Sequence, residues 1–101
     1  MQPDPRDGAA STIACVGSGL VGRSWAIVFA RAGYRVQIWD SVSDALKKTM
    51  PALCATLNEL ETVGAIPSAS EIAGRIRRAD SLTDAIADAC HVQESVSERL
   101  D

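Results

Sequence analysis

Histidine occurs once in these 101 residues, cysteine three times, and the aromatics are two Trp, one Tyr and one Phe. Each scarcity closes off chemistry. His91 has no partner at metal-ligand spacing, so a metal site is not expected. Cys15, Cys54 and Cys90 are odd in number, form no CxxC pair and fall within expected regular elements. They read as buried free thiols of a reducing, cytoplasmic compartment rather than a disulfide framework. No stretch approaches the ~20 apolar residues of a membrane span. No basic run exceeds two residues in a chain of net charge −3, which argues against a general nucleic-acid surface. Residues 1–10 carry Pro3, Pro5 and Gly8 but no apolar core of the signal-peptide kind, and are expected to form a disordered leader. Neither a nucleophile–His–acid set nor a carboxylate pair emerges, so no catalytic residue is assigned.

What the chain does have is a concentrated glycine motif. Gly17-Ser18-Gly19-Leu20-Val21-Gly22 follows the apolar run Thr12–Val16 and opens a helix-like segment, Arg23 to Ala32. A second run, Tyr34 to Trp39, ends in Asp40. A GxGxxG alone is weak; between a strand and a helix, with an acid closing the next strand, it signals a dinucleotide-binding βαβ unit. Gly17 permits the tight turn, Gly19 lets a pyrophosphate approach the backbone, and Gly22 allows close helix–sheet packing. The free N–H groups of the helix's first turn then face the phosphates. Asp40 is expected at the adenosine ribose, where a carboxylate favours NAD by repelling the 2′-phosphate of NADP. Ser41 and Asp44 are assigned the capping box of the next helix, leaving Asp40 free for that role.

The overlapping run Gly17-x4-Gly22-Arg23-Ser24 imitates a nucleoside-triphosphate loop with arginine replacing lysine. A planar guanidinium is a poor substitute for a compact ammonium, and Gly19 has no part in that loop. Arg23 is read either as added charge near the pyrophosphate or as a solvated surface arginine.

Along the chain, strands are predicted at Thr12–Val16, Arg35–Trp39, within Arg75–Asp80 and at Cys90–Glu94. A first helix runs from Leu20 to Ala32, with Val21, Trp25, Val28 or Phe29, and Ala32 on one face and small Ala26 and Ala30 against the sheet. A second continues from after Ser41 to Val63 with the stripe Leu46, Met50, Leu53, Leu57, Leu60, and Pro51 is expected to kink or split it. Ser68 with Glu71 and Ser81 with Asp84 cap two further helices, ending near Gly74 and Ala89. The alternation indicates an α/β fold with a parallel sheet. His91 reads as a packed or partly exposed strand residue.

These residues resemble the NAD-binding domain of the 3-hydroxyacyl-CoA dehydrogenase family. The resemblance is carried by Val16 to Ala26 (VGSGLVGRSWA), by Val36 to Asp40 (VQIWD) and by His91 to Leu100 (HVQESVSERL), and extends from about residue 11 to the end. It implies a Rossmann-type doubly wound parallel sheet with NAD as cofactor. It further implies hydride transfer between NAD and the 3-hydroxy group of a hydroxy acid or a 3-hydroxyacyl-CoA, as in fatty-acid metabolism. Gly17, Gly19, Leu20, Val21 and Gly22 match the pyrophosphate loop, Asp40 the ribose acid and Glu98 a glutamate that contacts NAD. Glu94 matches an acid near the nicotinamide and substrate, or is a surface carboxylate.

The family's general base, a downstream histidine oriented by a glutamate, has no match here, and His91 does not align with it. Nor do its lysine, which would fall just past Asp101, or its helical C-terminal domain, which contacts substrate and forms a homodimer. The expectation is an N-terminal part of the domain, with the sheet incomplete on its C-terminal side and strand four left as an edge. Such a piece binds NAD without turnover. A non-catalytic NAD or ADP-binding module, or a truncated structural remnant, is the alternative.

Overall fold

A computed structural model describes residues 11–95. The elements run β1 (Thr12–Val16), α1 (Leu20–Arg31), β2 (Arg35–Trp39), α2 (Ser43–Thr62), α3 (Ala69–Ala73), β3 (Ile76–Arg78), α4 (Leu82–Ile86) and β4 (Ala89–Glu94). The strands form one sheet in the order β3-β2-β1-β4, every pair parallel. The expected α/β architecture is therefore present, and β4 is an edge strand among the described residues. The expected leader, residues 1–10, lies outside them.

Side-chain alternation on β1 divides the core in two. Ile13 and Cys15 join Val36, Ile38 and Ile76 under α1, α2 and α3. Ala14 faces the other way, toward Ala79 and Ala85, with Trp39 and Ala89 beside them. Chain order supplies the reason. The crossovers β1-α1-β2 and β2-α2-α3-β3 move the chain in one direction across the sheet. The crossover through α4 reverses it, and right-handed connections then put α4 on the opposite face. The reversal lies between β1 and β4, which places the ligand crevice of such a sheet outside their carboxyl ends.

On α1 the small residues expected against the sheet are the buried ones, whereas most of the large apolar face is not. Val21, Val28 and Trp25 are 60%, 53% and 39% exposed, and Ala32 is exposed too. The buried line is Gly22, Ala26 and Ala30, at i, i+4 and i+8. Closeness explains the choice, because only residues with little or no side chain let a helix axis come down onto the strands. Phe29 lies alongside them, stacked on Trp25 at 5.6 Å between centroids and 5.9 Å from His91.

Of the two outcomes expected at Pro51, the split does not occur: α2 runs as one helix of 20 residues. Pro51 is exposed, while Thr49, Leu53 and Leu57 form the buried face with Met50 and Leu60 packed beside them. The carbonyl that loses its N–H partner belongs to exposed Lys47 and can be hydrated, so the core face continues undisturbed. Thr49 Oγ1 turns inward and donates to Ala45 O at 2.9 Å, which satisfies a buried hydroxyl.

The caps of α3 and α4 match the reading from sequence. Ser68 Oγ accepts from Glu71 N and Ser81 Oγ from Asp84 N. α4 is shorter than expected, since Ala89 already belongs to β4. Cys15 is buried, whereas Cys54 and Cys90 are exposed, which corrects the expectation that all three are interior.

Candidate functional site

The carboxyl end of β1 feeds directly into the glycine loop. Gly17 has φ 106°, a conformation that side chains resist, and its N–H donates to Trp39 O at 2.7 Å. That bond ties the turn to the end of β2. Gly22 is required for a different reason. A Cβ there would overlap the Gly17 carbonyl oxygen and stand 2.7 Å from its carbon. Helix α1 can start where it does only because position 22 carries no side chain.

Gly19 answers to neither constraint. Its φ is −68° and ψ −170°, ordinary extended backbone, and a Cβ there would meet nothing within 4 Å. Neither crowding nor a left-handed backbone demands glycine at 19. What the missing side chain leaves open is the space in front of the first turn of α1.

That turn is electrostatically prepared. The first intrahelical bond is Arg23 N to Gly19 O at 2.9 Å, so the N–H groups of Leu20, Val21 and Gly22 have no intrahelical acceptor. No side chain caps the helix and no acid occupies its first turn. The other described helices differ: Asp44, Glu71 and Asp84 stand in the first turns of α2, α3 and α4. The positive end of α1 is thus left for an anion from outside. Arg23 bends back, its Nη1 donating to Ser18 O at 3.2 Å, which places its charge beside the loop.

Asp40 joins the loop through Ser18. Its Oδ2 accepts from Ser18 N at 2.7 Å and from Ser18 Oγ at 2.9 Å, while Oδ1 accepts from Val42 N at 2.8 Å. The capping box assigned to Ser41 and Asp44 is not formed. Val42 is the N-cap of α2 and has no side-chain cap bond; Asp40 reaches the Val42 N–H from two residues away. Asp40 is therefore already engaged, contrary to the expectation of a free carboxylate. Of the roughly four lone-pair sites of a carboxylate, one on Oδ1 remains. Burial disfavours its charge, but the bonds from Val42 and from both donors of Ser18 outweigh this and hold its pKa below the ordinary value.

The remaining sequence-assigned residues divide clearly. Leu20 and Val21 lie in the exposed first turn of α1, with Leu20 73% exposed. Glu94 is paired with Val16 at the carboxyl end of β4, on the rim of the same crevice, and is exposed. His91 pairs with Ile13 lower in the sheet, where its Nε2 lies 3.3 Å from Gln93 Oε1. It is not brought to the loop. Glu98 lies outside the described residues. No group of His, Cys, Asp and Glu among the described residues could hold a metal ion. Ser18, 1% exposed, is the site residue that sequence reasoning passed over. A serine between two glycines carries no local signal, and its partner is 22 positions away.

A cavity of about 680 Å³ opens elsewhere, between Arg35, Gln37 and Arg77 on the sheet and Asp84 and Asp88 on the α4 side. It shares no residue with the glycine loop or Asp40, and its mixed charges show no preference for a phosphate.

With this geometry in place, residues 12–101 match the model of the 3-hydroxyacyl-CoA dehydrogenase NAD-binding domain. The chain belongs to that family. L-carnitine dehydrogenase of Nocardiopsis dassonvillei is 41% identical over 93 residues, spanning 92% of this chain and 28% of that protein. The lambda-crystallin homolog of Bos taurus is 37% identical over 100 residues, spanning 96% of this chain and 31% of the relative. Among solved structures, 3-hydroxybutyryl-CoA dehydrogenase from Escherichia coli superposes with a TM-score of 0.77 at 30% identity, covering 89% of this chain and 19% of that one. The chain thus spans under a third of the length of these relatives. The matched family model is that of an NAD-binding domain, and NAD is the cofactor this family implies. The open space at Gly19 in front of an uncapped helix is what a pyrophosphate requires, so these residues fit that cofactor.

Proposed function

We propose that the crevice at the carboxyl ends of β1, β2 and β4 grips the adenosine and pyrophosphate half of NAD. Gly17 sets the turn, and Gly19 leaves room for the pyrophosphate. Backbone N–H groups of Leu20, Val21 and Gly22 donate to its oxygens. Asp40 accepts from the adenosine ribose through the remaining lone pair of Oδ1. Glu98, by the family resemblance, makes a further contact with NAD. The observation that carries this reading is the glycine at 19, where neither protein crowding nor backbone strain excludes a side chain but a phosphate would.

When bound, NAD supplies the redox chemistry, accepting or giving a hydride at the 3-hydroxy group of a hydroxy acid or 3-hydroxyacyl-CoA. The chain's own residues orient the cofactor. No general base is assigned among the described residues, because His91 lies lower on β4, paired with Ile13 and away from the loop. We propose accordingly that this chain binds NAD without turning over substrate. Family names support the substrate class: relatives are named for L-carnitine and for 3-hydroxybutyryl-CoA.

Calorimetric titration with NAD and NADP tests the reading. NAD is expected to bind more tightly than NADP, and Asp40→Ala to weaken NAD and narrow the difference. An Asp40→Ala protein with unchanged preference would remove Asp40 from the ribose site. Hydride transfer by the chain alone would contradict binding without turnover.

A further inference from the structure

The two oxygens of Asp40 are not equivalent. Oδ2 is held by two donors of one residue, Ser18 N at 2.7 Å and Ser18 Oγ at 2.9 Å, and Ser18 is 1% exposed. Oδ1 takes a single bond from Val42 N, in an exposed setting. The carboxylate therefore turns one oxygen inward and presents the other outward. The backbone contact would survive any substitution at 18 that preserves the loop; the hydroxyl contact depends on serine or threonine.

We propose that Ser18 is a specificity-determining positioning residue: its hydroxyl locks the Asp40 carboxylate in the orientation that offers Oδ1 alone to the ribose, so discrimination between NAD and NADP depends on Ser18 acting through Asp40. The inference rests on the cofactor site proposed above. The physical reason is pre-organisation. A carboxylate free to rotate about its last torsion loses entropy when a ribose hydroxyl fixes it, whereas one already bonded on its inner oxygen does not. A single outward oxygen also fixes the negative charge where a 2′-phosphate would have to sit, so loosening it weakens rejection of NADP as well as binding of NAD. Ser18 itself touches no cofactor atom in this scheme, since its side chain is buried behind Asp40.

The experiment is a double-mutant cycle on the 101-residue chain, with Ser18→Ala, Asp40→Asn and both together, titrated calorimetrically with NAD and NADP. Ser18→Ala is expected to weaken NAD about three- to tenfold, within what loss of one charge-assisted bond allows, and to reduce the NAD:NADP ratio. In the Asp40→Asn background the same change is expected to leave the ratio untouched, because its effect passes through the carboxylate. Carboxyl NMR titration supplies a readout independent of cofactor: the Asp40 pKa should rise in Ser18→Ala. A Ser18→Ala protein whose ratio and Asp40 pKa both equal the wild type's overturns the inference, as does an equal effect of Ser18→Ala in both backgrounds. Absence of NAD binding by the wild type would instead sink the cofactor reading, while the NMR titration would still decide whether the hydroxyl governs Asp40.

Discussion

Gly22 packs its α-carbon onto the carbonyl of Gly17, five residues earlier, with no space between them for a methyl group. The contact fuses the loop and the helix into one rigid unit, because neither can move without the other. Gly22→Ala should therefore disrupt both fold and site. The gain in helix propensity, about 1 kcal/mol, is outweighed by forced displacement of backbone. A net loss of about 2 kcal/mol is expected, seen as a fall of roughly 10 °C in Tm. NAD affinity should fall with it. An alanine variant as stable as the wild type would show that the helix start has freedom the packing denies.

Acid should expose the engagement of Asp40. Its hydrogen bonds hold the folded pKa below the ordinary value of 3.8. A depressed acid contributes stability that is fully present above the unfolded pKa and is lost as pH falls toward and through the folded one. Urea denaturation across pH 2–6 should show stability declining below about pH 4. Asp40→Asn should be less stable at neutral pH, with a shallower acid decline. An identical decline in both proteins would place the titration elsewhere.

At the alkaline end Cys15 has the opposite sign. Burial raises its thiol from 9.0 to about 11. The unfolded chain therefore loses its proton first, and stability should drop between about pH 9 and 11 by on the order of 2 kcal/mol. Cys15→Ala should flatten that limb. A thiol reagent at neutral pH should label Cys54 and Cys90 promptly and Cys15 only after denaturant is added. Prompt labelling of all three would contradict the packing of β1.

Much of this architecture was legible because it depends on residues with few conformational options. Gly17 and Gly22 mark their turn and their contact by lacking a side chain. Ser68 and Ser81 announce helix starts through a bond to the residue three positions on. The misreadings share a cause, namely that they turn on distances between elements. On α1 the small residues Gly22, Ala26 and Ala30 meet the sheet as expected, but its close approach leaves Val21 and Val28, read as part of an apolar face, in solvent. Pro51 signalled a kink or a break; the helix does not break, because the ring stands on the exposed side, where water can replace the lost bond. Asp40 read as a spare acid because nothing in the linear order joins it to Ser18. The loop's glycines were therefore readable, and the carboxylate's true partner was not.

Gly19 separates fold from function most sharply, since a side chain there meets no protein atom within 4 Å. The deciding measurement is calorimetric titration of NAD into the wild type and Gly19→Ala, with thermal melts of both. The wild type should bind NAD. The alanine variant should lose at most about 1 kcal/mol of stability, the cost of a poorer N-cap residue, and bind NAD at least ~10-fold more weakly because its methyl group fills the pyrophosphate space. A well-folded Gly19→Ala protein that binds NAD as tightly as the wild type would contradict the central claim that the first turn of α1 holds the cofactor.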